Sequence, residues 1–273
     1  MFKCDYHTHT YFSFDGDKTS SPDALCEAAI CVGITDLAIT DHFEANWRAE
    51  NLSQPYPAKD AFDAVMTAKQ KYKGKINLTY GIEIGQANQY PDEVEKLIKE
   101  FNFEFVIASI HNLRGSPDFY YYDFSKIDSE DYIFSLFERN ITELSEALDV
   151  LTCADTIAHL TYMGRYLALA GRTYDFMRHR DSLEKLFKKM ISRNVALEVN
   201  LSTLWKGLGF SMPDTRILSF YRDCGGRLVT VGTDSHSPEH IGECVDEIFP
   251  ILKSIGLDNI LVVRNGEKTV IKI

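Results

Sequence analysis

Apolar positions along the chain follow two patterns that alternate from one end to the other. Short stretches such as 35–40 (TDLAIT) and 195–199 (VALEV) are almost continuously apolar, which is typical of buried parallel strands. The longer stretches between them, such as 91–101, place apolar residues three or four positions apart, the period of an amphipathic helix. This alternation predicts a parallel sheet whose strands are connected by helices.

We predict about seven strand-then-helix units. The strands cover residues 2–7, 35–40, 76–84, 103–110, 156–158, 195–199 and 228–232. The helices cover residues 22–31, 59–72, 91–101, 131–151, 183–193, 215–224 and 241–255. Three stretches, 41–57, 113–128 and 162–179, show no clear period. The tail, 260–273, predicts two short strands around Asn265-Gly266, which is a hairpin signal.

The number and order of these units indicate the fold. Parallel strands need helical crossovers, and 273 residues is close to the roughly 250 that are typical of an eight-unit barrel. We therefore expect an α/β fold, a distorted seven-stranded (β/α)7 TIM-like barrel. It would form one domain over residues 1–273, with the hairpin at about 259–273 outside the barrel. An open doubly wound sheet is the alternative.

Ionisable residues are concentrated where the predicted strands end. Six of the eight histidines and two carboxylates take such positions, and one more carboxylate follows in the first loop: His7, His9, His42, His111, His159, His236, Glu83, Asp234 and Asp15. In a parallel barrel these strand ends open on one face. Imidazole and carboxylate together suit zinc, manganese or iron. Nine ligands exceed the needs of one ion, so we expect two or three divalent ions and a bridging carboxylate.

Composition narrows the class of partner. The net charge of −11 argues against binding of nucleic acid, which requires a basic surface. No signal peptide is recognisable, and no apolar run reaches the roughly 18 residues of a transmembrane helix, so we expect a cytoplasmic protein without a membrane partner. The six cysteines form no CxxC pair, which predicts reduced core thiols. The oligomeric state stays open.

Six motifs carry a resemblance to a known family. The segments DYHTHTYFSFDG, AITDH, GIEIG, IASIH, IAHL and GTDSH together resemble the polymerase-and-histidinol-phosphatase (PHP) family of metal-dependent phosphoesterases, in order and over essentially the whole chain. In length and single-domain form the chain resembles the stand-alone histidinol-phosphate phosphatases more than the PHP domains of DNA polymerases. The resemblance implies a seven-stranded barrel with a trinuclear metal centre.

The resemblance also implies how the ligands are shared. The implied groups are His7, His9, Glu83 and Asp234 for a first ion, Glu83, His111 and His159 for a second, and Asp15, His42 and His236 for a third. Glu83 would bridge the first two ions. Asp15 stands where many relatives have histidine, which makes the third group more anionic and bears on its preferred metal.

The implied reaction is hydrolysis of a small phosphomonoester, L-histidinol phosphate, to L-histidinol and phosphate in histidine biosynthesis. Hydroxide activated by the metals would attack phosphorus in line. Asp234 or His236 would protonate the leaving alkoxide, and the sequence does not choose between them. Three alternatives stay open: a PHP phosphoesterase for another small ester such as a nucleotide, a barrel amidohydrolase, and a non-catalytic metal-binding protein.

A phosphate substrate also requires cationic or polar contacts from the chain. Arg165 is the leading candidate, because it lies in the loop after His159 and arginine binds phosphate in bidentate geometry. Arg114 and Lys206 are further candidates, and Asn200 ends the sixth predicted strand. Relatives often have an arginine where this chain has Trp205, so Lys206 could replace it or the substrate could differ.

An aromatic run, 119–124 (FYYYDF), follows the fourth predicted strand. It could form a lid against which a substrate imidazole stacks. The alternative is a loop whose aromatic residues pack on the rim of the barrel.

Overall fold

The computed structural model describes residues 2–47 and 56–273, and the strands within them form one curled sheet. The ten strands are β1 (Cys4–Asp5), β2 (Asp36–Ile39), β3 (His42–Glu44), β4 (Asn77–Gly85), β5 (Phe105–Ser109), β6 (Thr156–Ile157), β7 (Ala196–Asn200), β8 (Leu228–Gly232), β9 (Asn259–Arg264) and β10 (Glu267–Lys272). They pair in chain order, except that β4 pairs with both β2 and β3. β2 pairs with the first part of β4, and β3 pairs with its last part. All pairs are parallel except β9 with β10.

Helices connect most of the successive strands, and the exceptions are β2 with β3 and β9 with β10. The helices are α1 (Pro22–Cys31), α2 (Ala58–Lys71), α3 (Pro91–Glu100), α4 (Glu130–Val150), α5 (Tyr162–Leu169), α6 (Arg180–Ser192), α7 (Ser202–Trp205), α8 (Thr215–Asp223) and α9 (Val245–Ser254). Local sequence starts several of them. Ser21 accepts a hydrogen bond from the main chain of Ala24 at the start of α1, and Asp214 caps α8 in the same way. No helix of the described chain is long and apolar enough to cross a membrane.

The first segment of the chain joins both sides of the curled sheet. Cys4 of β1 pairs with Asp36 of β2. One residue beyond β1, the main-chain N–H of Tyr6 donates to the carbonyl of Val231 in β8, at 2.8 Å. The main-chain N–H of Asp234 likewise donates to the carbonyl of His7, at 2.8 Å. The segment that follows β1 therefore lies against β8, which brings residues from the first and last parts of the parallel sheet together.

The curl directs a set of strand ends to one place. His7, His111, His159 and Asp234 each lie two residues beyond the last residue of a strand, β1, β5, β6 and β8 respectively. Side chains within the strands, such as Leu197 of β7, are fully buried and apolar. The apolar strands thus form the buried core, and the polar residues lie just beyond the ends of these strands.

The predicted elements are largely confirmed, and the differences have local causes. The sheet is curled and mixed α/β, and the tail forms the expected hairpin from Asn259 onwards. The first strand has only two residues, because its continuation turns to bond β8. The structure adds β3, which resumes after Asp41 and pairs with β4, and α5, which occupies part of a stretch predicted to be irregular. Part of the predicted 41–57 stretch lies outside the described residues.

Candidate active site

All nine predicted ligands lie in one cluster at the carboxyl ends of the strands. Glu83 is at its centre, on β4, with a side chain that is fully buried. Its Oε2 atom lies 3.1 Å from His7 Nε2 and 2.9 Å from His42 Nδ1. Its Oε1 atom lies 2.9 Å from His159 Nε2 and 3.2 Å from His111 Nε2. Each carboxylate oxygen therefore faces a different pair of imidazoles, as a bridging carboxylate would.

The first group of ligands surrounds a pair of neighbouring histidines. His9 Nε2 lies 3.4 Å from Asp234 Oδ1 and 3.6 Å from Glu83 Oε2, and His7 Nε2 lies 3.7 Å from the same oxygen of Asp234. His9 Nε2 is buried and has no hydrogen-bond partner among the described residues. The backbone of Asp234 has φ +55°, a conformation uncommon outside glycine. Strain of this kind is typical of a functional position.

Two pairs of imidazole nitrogens face each other directly. His111 Nε2 and His159 Nε2 are 3.3 Å apart, and His42 Nε2 and His236 Nε2 are also 3.3 Å apart. Two nitrogen ligands on one tetrahedral zinc ion are separated by about 3.3 Å, given Zn–N bonds of about 2.0–2.1 Å. These separations, together with the unpartnered nitrogen of His9, fit divalent transition-metal ions held between the side chains.

The third group is the most open to solvent. Asp15 Oδ2 lies 3.2 Å from His236 Nε2, and Asp15 Oδ1 lies 3.7 Å from His42 Nε2. The side chains of Asp15 and His236 are 43% and 28% exposed, whereas Glu83 is fully buried. An ion held there would exchange with solvent more readily than ions beside Glu83.

Negative charge dominates around His7 and Glu83. Burial alone would lower the pKa of His7, but the carboxylates of Glu198, Glu83 and Asp234 outweigh burial and raise that pKa well above its usual value. Burial alone would raise the pKa of Glu83, but the surrounding imidazoles, first of all His7, lower it well below the usual range. Glu83 is therefore an anion, and the cluster attracts cations.

The histidines nearer the third group differ in charge. Burial and the neighbouring imidazoles of His236 and His42 lower the pKa of His9 well below its usual value, so its ring is neutral. Burial also opposes a charge on His42, but the carboxylates of Glu83 and Asp15 raise the pKa of His42 to about 9. In the absence of metal, the ring of His42 is therefore protonated at neutral pH, whereas the ring of His9 is not.

Two carboxylates missing from the sequence prediction support the ligands. Glu198 Oε1 lies 2.5 Å from His7 Nδ1. Glu44 Oε1 lies 2.9 Å from His111 Nδ1. A signal for Glu198 exists in the sequence, because a glutamate inside the apolar strand VALEVN needs a buried partner. Glu44 falls in the stretch predicted to be irregular, where no period indicated β3.

The predicted substrate contacts occupy different places. Arg165, on α5, is buried and donates from Nη2 to Asp234 Oδ2 at 2.8 Å. Lys206 lines the cavity described below, with Nζ 4.7 Å from the ring centre of Trp205. Asn200 is fully buried behind the ligands, with Nδ2 3.1 Å from Glu198 Oε2. It therefore does not reach the cavity wall.

Arg114 lies elsewhere, contrary to the expectation that it contacts substrate. Its guanidinium donates to the carbonyl of Asn88 at 3.1 Å and lies 3.7 Å from the carboxylate of Glu146. Its main-chain N–H donates to the carboxylate of Glu143. These contacts hold the Arg114 side chain on the protein surface, outside the cavity.

A cavity of about 820 Å³ opens over the cluster. Its polar wall includes Arg165, Lys206 and Asp118, and its aromatic wall includes Tyr162 and Trp205. The aromatic run is divided. Phe119 and Phe124 are buried, whereas Tyr120 and Tyr121 are 66% and 70% exposed at the cavity. Trp205 stacks on His240 with ring centres 4.1 Å apart. The structure therefore combines both alternatives for this run, a packed base and an exposed aromatic edge.

Known proteins share this architecture. The structure of a histidinol phosphate phosphatase from Lactococcus lactis, solved with zinc, L-histidinol and phosphate, superposes with a TM-score of 0.80 at 23% identity, covering 98% of this chain and all of that one. In sequence, the histidinol-phosphatase of Lactococcus lactis is 26% identical over 270 residues, covering 94% of this chain and 92% of its own. The probable histidinol-phosphatase of Thermotoga maritima is 29% identical, covering 97% of both chains.

The family itself is shown by a profile match. The family model of the PHP domain matches residues 5–202, which is more than half of the chain. That range holds seven of the nine clustered ligands, and Asp234 and His236 follow it in sequence. The chain belongs to the PHP domain family.

Proposed function

We propose that this protein hydrolyses L-histidinol phosphate to L-histidinol and phosphate with the help of divalent metal ions. The observation that carries the proposal is Glu83, whose two oxygens face separate pairs of imidazoles at the base of a cavity. The relatives named histidinol-phosphatase match over nearly the full length of the chain, which supports the substrate.

The grouping of the metal ligands is the one that the resemblance to the PHP family implies, and the distances within the cluster are compatible with it. A first ion would be held by His7, His9, Glu83 and Asp234, a second by Glu83, His111 and His159, and a third by Asp15, His42 and His236. Two or three zinc, manganese or iron ions fit these nitrogen and oxygen ligands. When bound, such ions supply an activated water and neutralise charge on a phosphoryl group.

Arg165 is the chain's own candidate for binding the phosphate. Its pKa is raised above the usual value, because Asp234 outweighs the opposing effect of burial, so it is always charged. Its Nε atom is buried and has no hydrogen-bond partner among the residues that the structure describes. The side chain lines the cavity, so a phosphate oxygen is a suitable acceptor. Lys206 would supply a second positive charge close to Trp205.

Protonation of the leaving alkoxide requires an acid at the same face. The two candidates are Asp234 and His236. Burial would raise the pKa of Asp234, but His7, His9 and Arg165 lower it well below its usual range, so it holds no proton to donate. We therefore favour His236, whose side chain is 28% exposed and borders the cavity, and it would act as the acid only when its Nε2 does not hold the third ion.

We propose the finer architecture as well. Strands β1, β2, β4, β5, β6, β7 and β8 would form a distorted seven-stranded TIM-like barrel in a single domain over residues 1–273. The bonds between the segment after β1 and β8 support this reading. The hairpin of β9 and β10 would lie outside the barrel.

Phosphate release tests the proposed function. Histidinol phosphate is compared with a panel of other phosphomonoesters, including nucleotides, and metal content is measured in the same sample. We expect a kcat/KM for histidinol phosphate well above that of every other ester. Equal, slow rates over the panel would contradict the substrate, and full turnover by metal-depleted protein would contradict the metal dependence.

A further inference from the structure

One buried carboxylate contacts ligands from both sides of Glu83 without belonging to any ligand group. Glu198, on β7, has a side chain that is 1% exposed. Its Oε1 atom lies 2.5 Å from His7 Nδ1. Its Oε2 atom accepts a hydrogen bond from the main-chain N–H of His159, at 2.6 Å. His7 belongs to the first proposed ion and His159 to the second, so one carboxylate holds both.

The contact with His7 decides which ring nitrogen is available. A carboxylate accepts hydrogen bonds, so the hydrogen of the His7 ring must be on Nδ1. Release of the proton on Nε2, which faces Glu83 Oε2 at 3.1 Å, then leaves the lone pair on Nε2. Glu198 therefore presents His7 in the tautomer that binds a cation.

The contact with His159 acts on the backbone instead. His159 has φ +28°, an unfavourable conformation for a residue with a side chain. The hydrogen bond from its main-chain N–H to Glu198 is charge-assisted and buried, which stabilises this conformation. In that conformation the ring places Nε2 2.9 Å from Glu83 Oε1.

A line of polar contacts extends from Glu198 to the proposed phosphate-binding residue. Asn200 donates from Nδ2 to Glu198 Oε2 at 3.1 Å. Ser202 donates from its hydroxyl to Asn200 Oδ1 at 2.5 Å, and Arg165 donates to the Ser202 hydroxyl. Glu198 contacts His7 at one end of this line, and Arg165 contacts Asp234 at the other end. Both ends therefore touch proposed ligands of the first ion.

We propose that Glu198 is a positioning residue shared by the first and second ion sites, and that both sites lose affinity together when its carboxylate is removed. The third site, which has no contact with Glu198, keeps its affinity. This inference rests on the proposed metal sites but not on the identity of the substrate, because metal binding is measured without substrate.

The test is zinc binding to metal-depleted Glu198→Gln by calorimetry and elemental analysis. The amide retains the volume, but it has one acceptor oxygen and cannot accept from both His7 and His159. We expect two binding steps to weaken by about 10–100-fold and the third to stay unchanged. The absorption spectrum of the cobalt-loaded protein should change as well, because it reports ligand geometry. Unchanged affinity in all steps, or equal weakening of all three, overturns the proposal.

A matched control lies on α4, in a residue that does not line the cavity. Glu138 Oε1 lies 2.5 Å from Nδ1 of the buried His179, and Glu138 Oε2 accepts from Ser182 at 2.7 Å. Glu138→Gln therefore removes a similar carboxylate–imidazole pair outside the site. We expect it to lower the unfolding temperature without changing zinc affinity or the cobalt spectrum. If Glu138→Gln weakens zinc binding as much as Glu198→Gln does, the effect is general destabilisation and the proposal fails.

A second variant covers the case in which Glu198→Gln does not fold. Asn200→Ala keeps the carboxylate and removes one of its donors together with the acceptor of Ser202. We expect weaker zinc binding at the same two steps, by less than in Glu198→Gln, and a higher KM because Arg165 loses support. Zinc binding indistinguishable from the wild type in Asn200→Ala would count against the proposed line of contacts and overturn the shared role.

Discussion

The absence of a side chain at Gly232 determines where His7 can lie. Gly232 ends β8, beside the segment that carries His7. A Cβ atom at position 232 would lie less than 3.0 Å from the Cβ of His7, 2.9 Å from its main-chain nitrogen and 3.1 Å from Glu198 Oε1. The backbone of His7 cannot yield locally, because its carbonyl accepts the N–H of Asp234. Gly232→Ala therefore pushes on a proposed ligand without replacing it.

The size of the effect follows from contact distances. Carbon atoms pack at about 3.5–4.0 Å, so His7 must move by at least about 0.5 Å. Overpacking of this kind costs about 1–3 kcal/mol. A site holds its productive geometry only within about 0.5 Å, and a misplacement of about 1 Å lowers the rate about 100-fold. We expect zinc affinity of the first site to fall by about 5–150-fold, and kcat to fall by about 10–100-fold.

The assay combines zinc titration, steady-state hydrolysis and thermal unfolding. Val231→Ala is the matched control, because the neighbouring Val231 is fully buried and its truncation destabilises β8 without pushing on His7. The control should lower the unfolding temperature and retain zinc affinity. Gly232→Ala protein that binds zinc normally and turns over at the wild-type rate would refute the reasoning.

Three further predictions concern the cavity and the charges around it. Arg165→Met should lower kcat/KM, measured by phosphate release, about 100–1,000-fold. Its zinc content, measured by elemental analysis, should stay unchanged. An unchanged kcat/KM would exclude a contact between Arg165 and phosphate. Zinc affinity should decrease from about pH 8 to pH 6. The pKa of His7 is raised and that of His42 is about 9, so zinc must displace protons from these rings. Calorimetry that finds no proton release on zinc binding would contradict this prediction. Tyr120→Ala and Tyr121→Ala should raise KM for histidinol phosphate and leave thermal stability nearly unchanged, because both rings are exposed; an unchanged KM would exclude stacking.

Local patterns in the sequence predict most of the fold. Apolar runs indicate β2, β4, β5 and β7, and helix caps such as Ser21 mark where helices begin. The candidate ligands are also local signals, because most of them lie at or just beyond the end of a strand that the pattern predicts. Position in sequence is therefore enough to collect them on one face, given only that the strands are parallel.

Contacts between distant residues could not be predicted in this way. Glu198 and His7 are separated by 191 positions, and their contact depends on the curl that brings β7 and β8 to the segment after β1. Arg114 shows the opposite case. It follows His111 closely in sequence, yet contacts of its guanidinium with Asn88 and Glu146 direct the side chain away from the cavity. Proximity in sequence to a ligand does not determine the direction of a long side chain.

Asp15 offers a test of metal preference at the third site. Asp15 supplies an exposed carboxylate to the pair formed by His42 and His236. Carboxylate oxygen suits manganese, whereas imidazole suits zinc. Asp15→His should therefore raise the ratio of zinc to manganese affinity for the most weakly bound ion and leave the two ions beside Glu83 unaffected.

Competition titrations with zinc and manganese measure this ratio. Asp17→His is the matched control, because Asp17 is exposed, bonds Thr19 at 2.7 Å, and places the same substitution two positions away. Both variants remove one negative charge from the same loop, so a change common to both is electrostatic. Only a change confined to Asp15→His identifies Asp15 as a ligand. An equal shift in Asp17→His, or none in Asp15→His, would mean that residue 15 influences the third ion through charge alone or not at all.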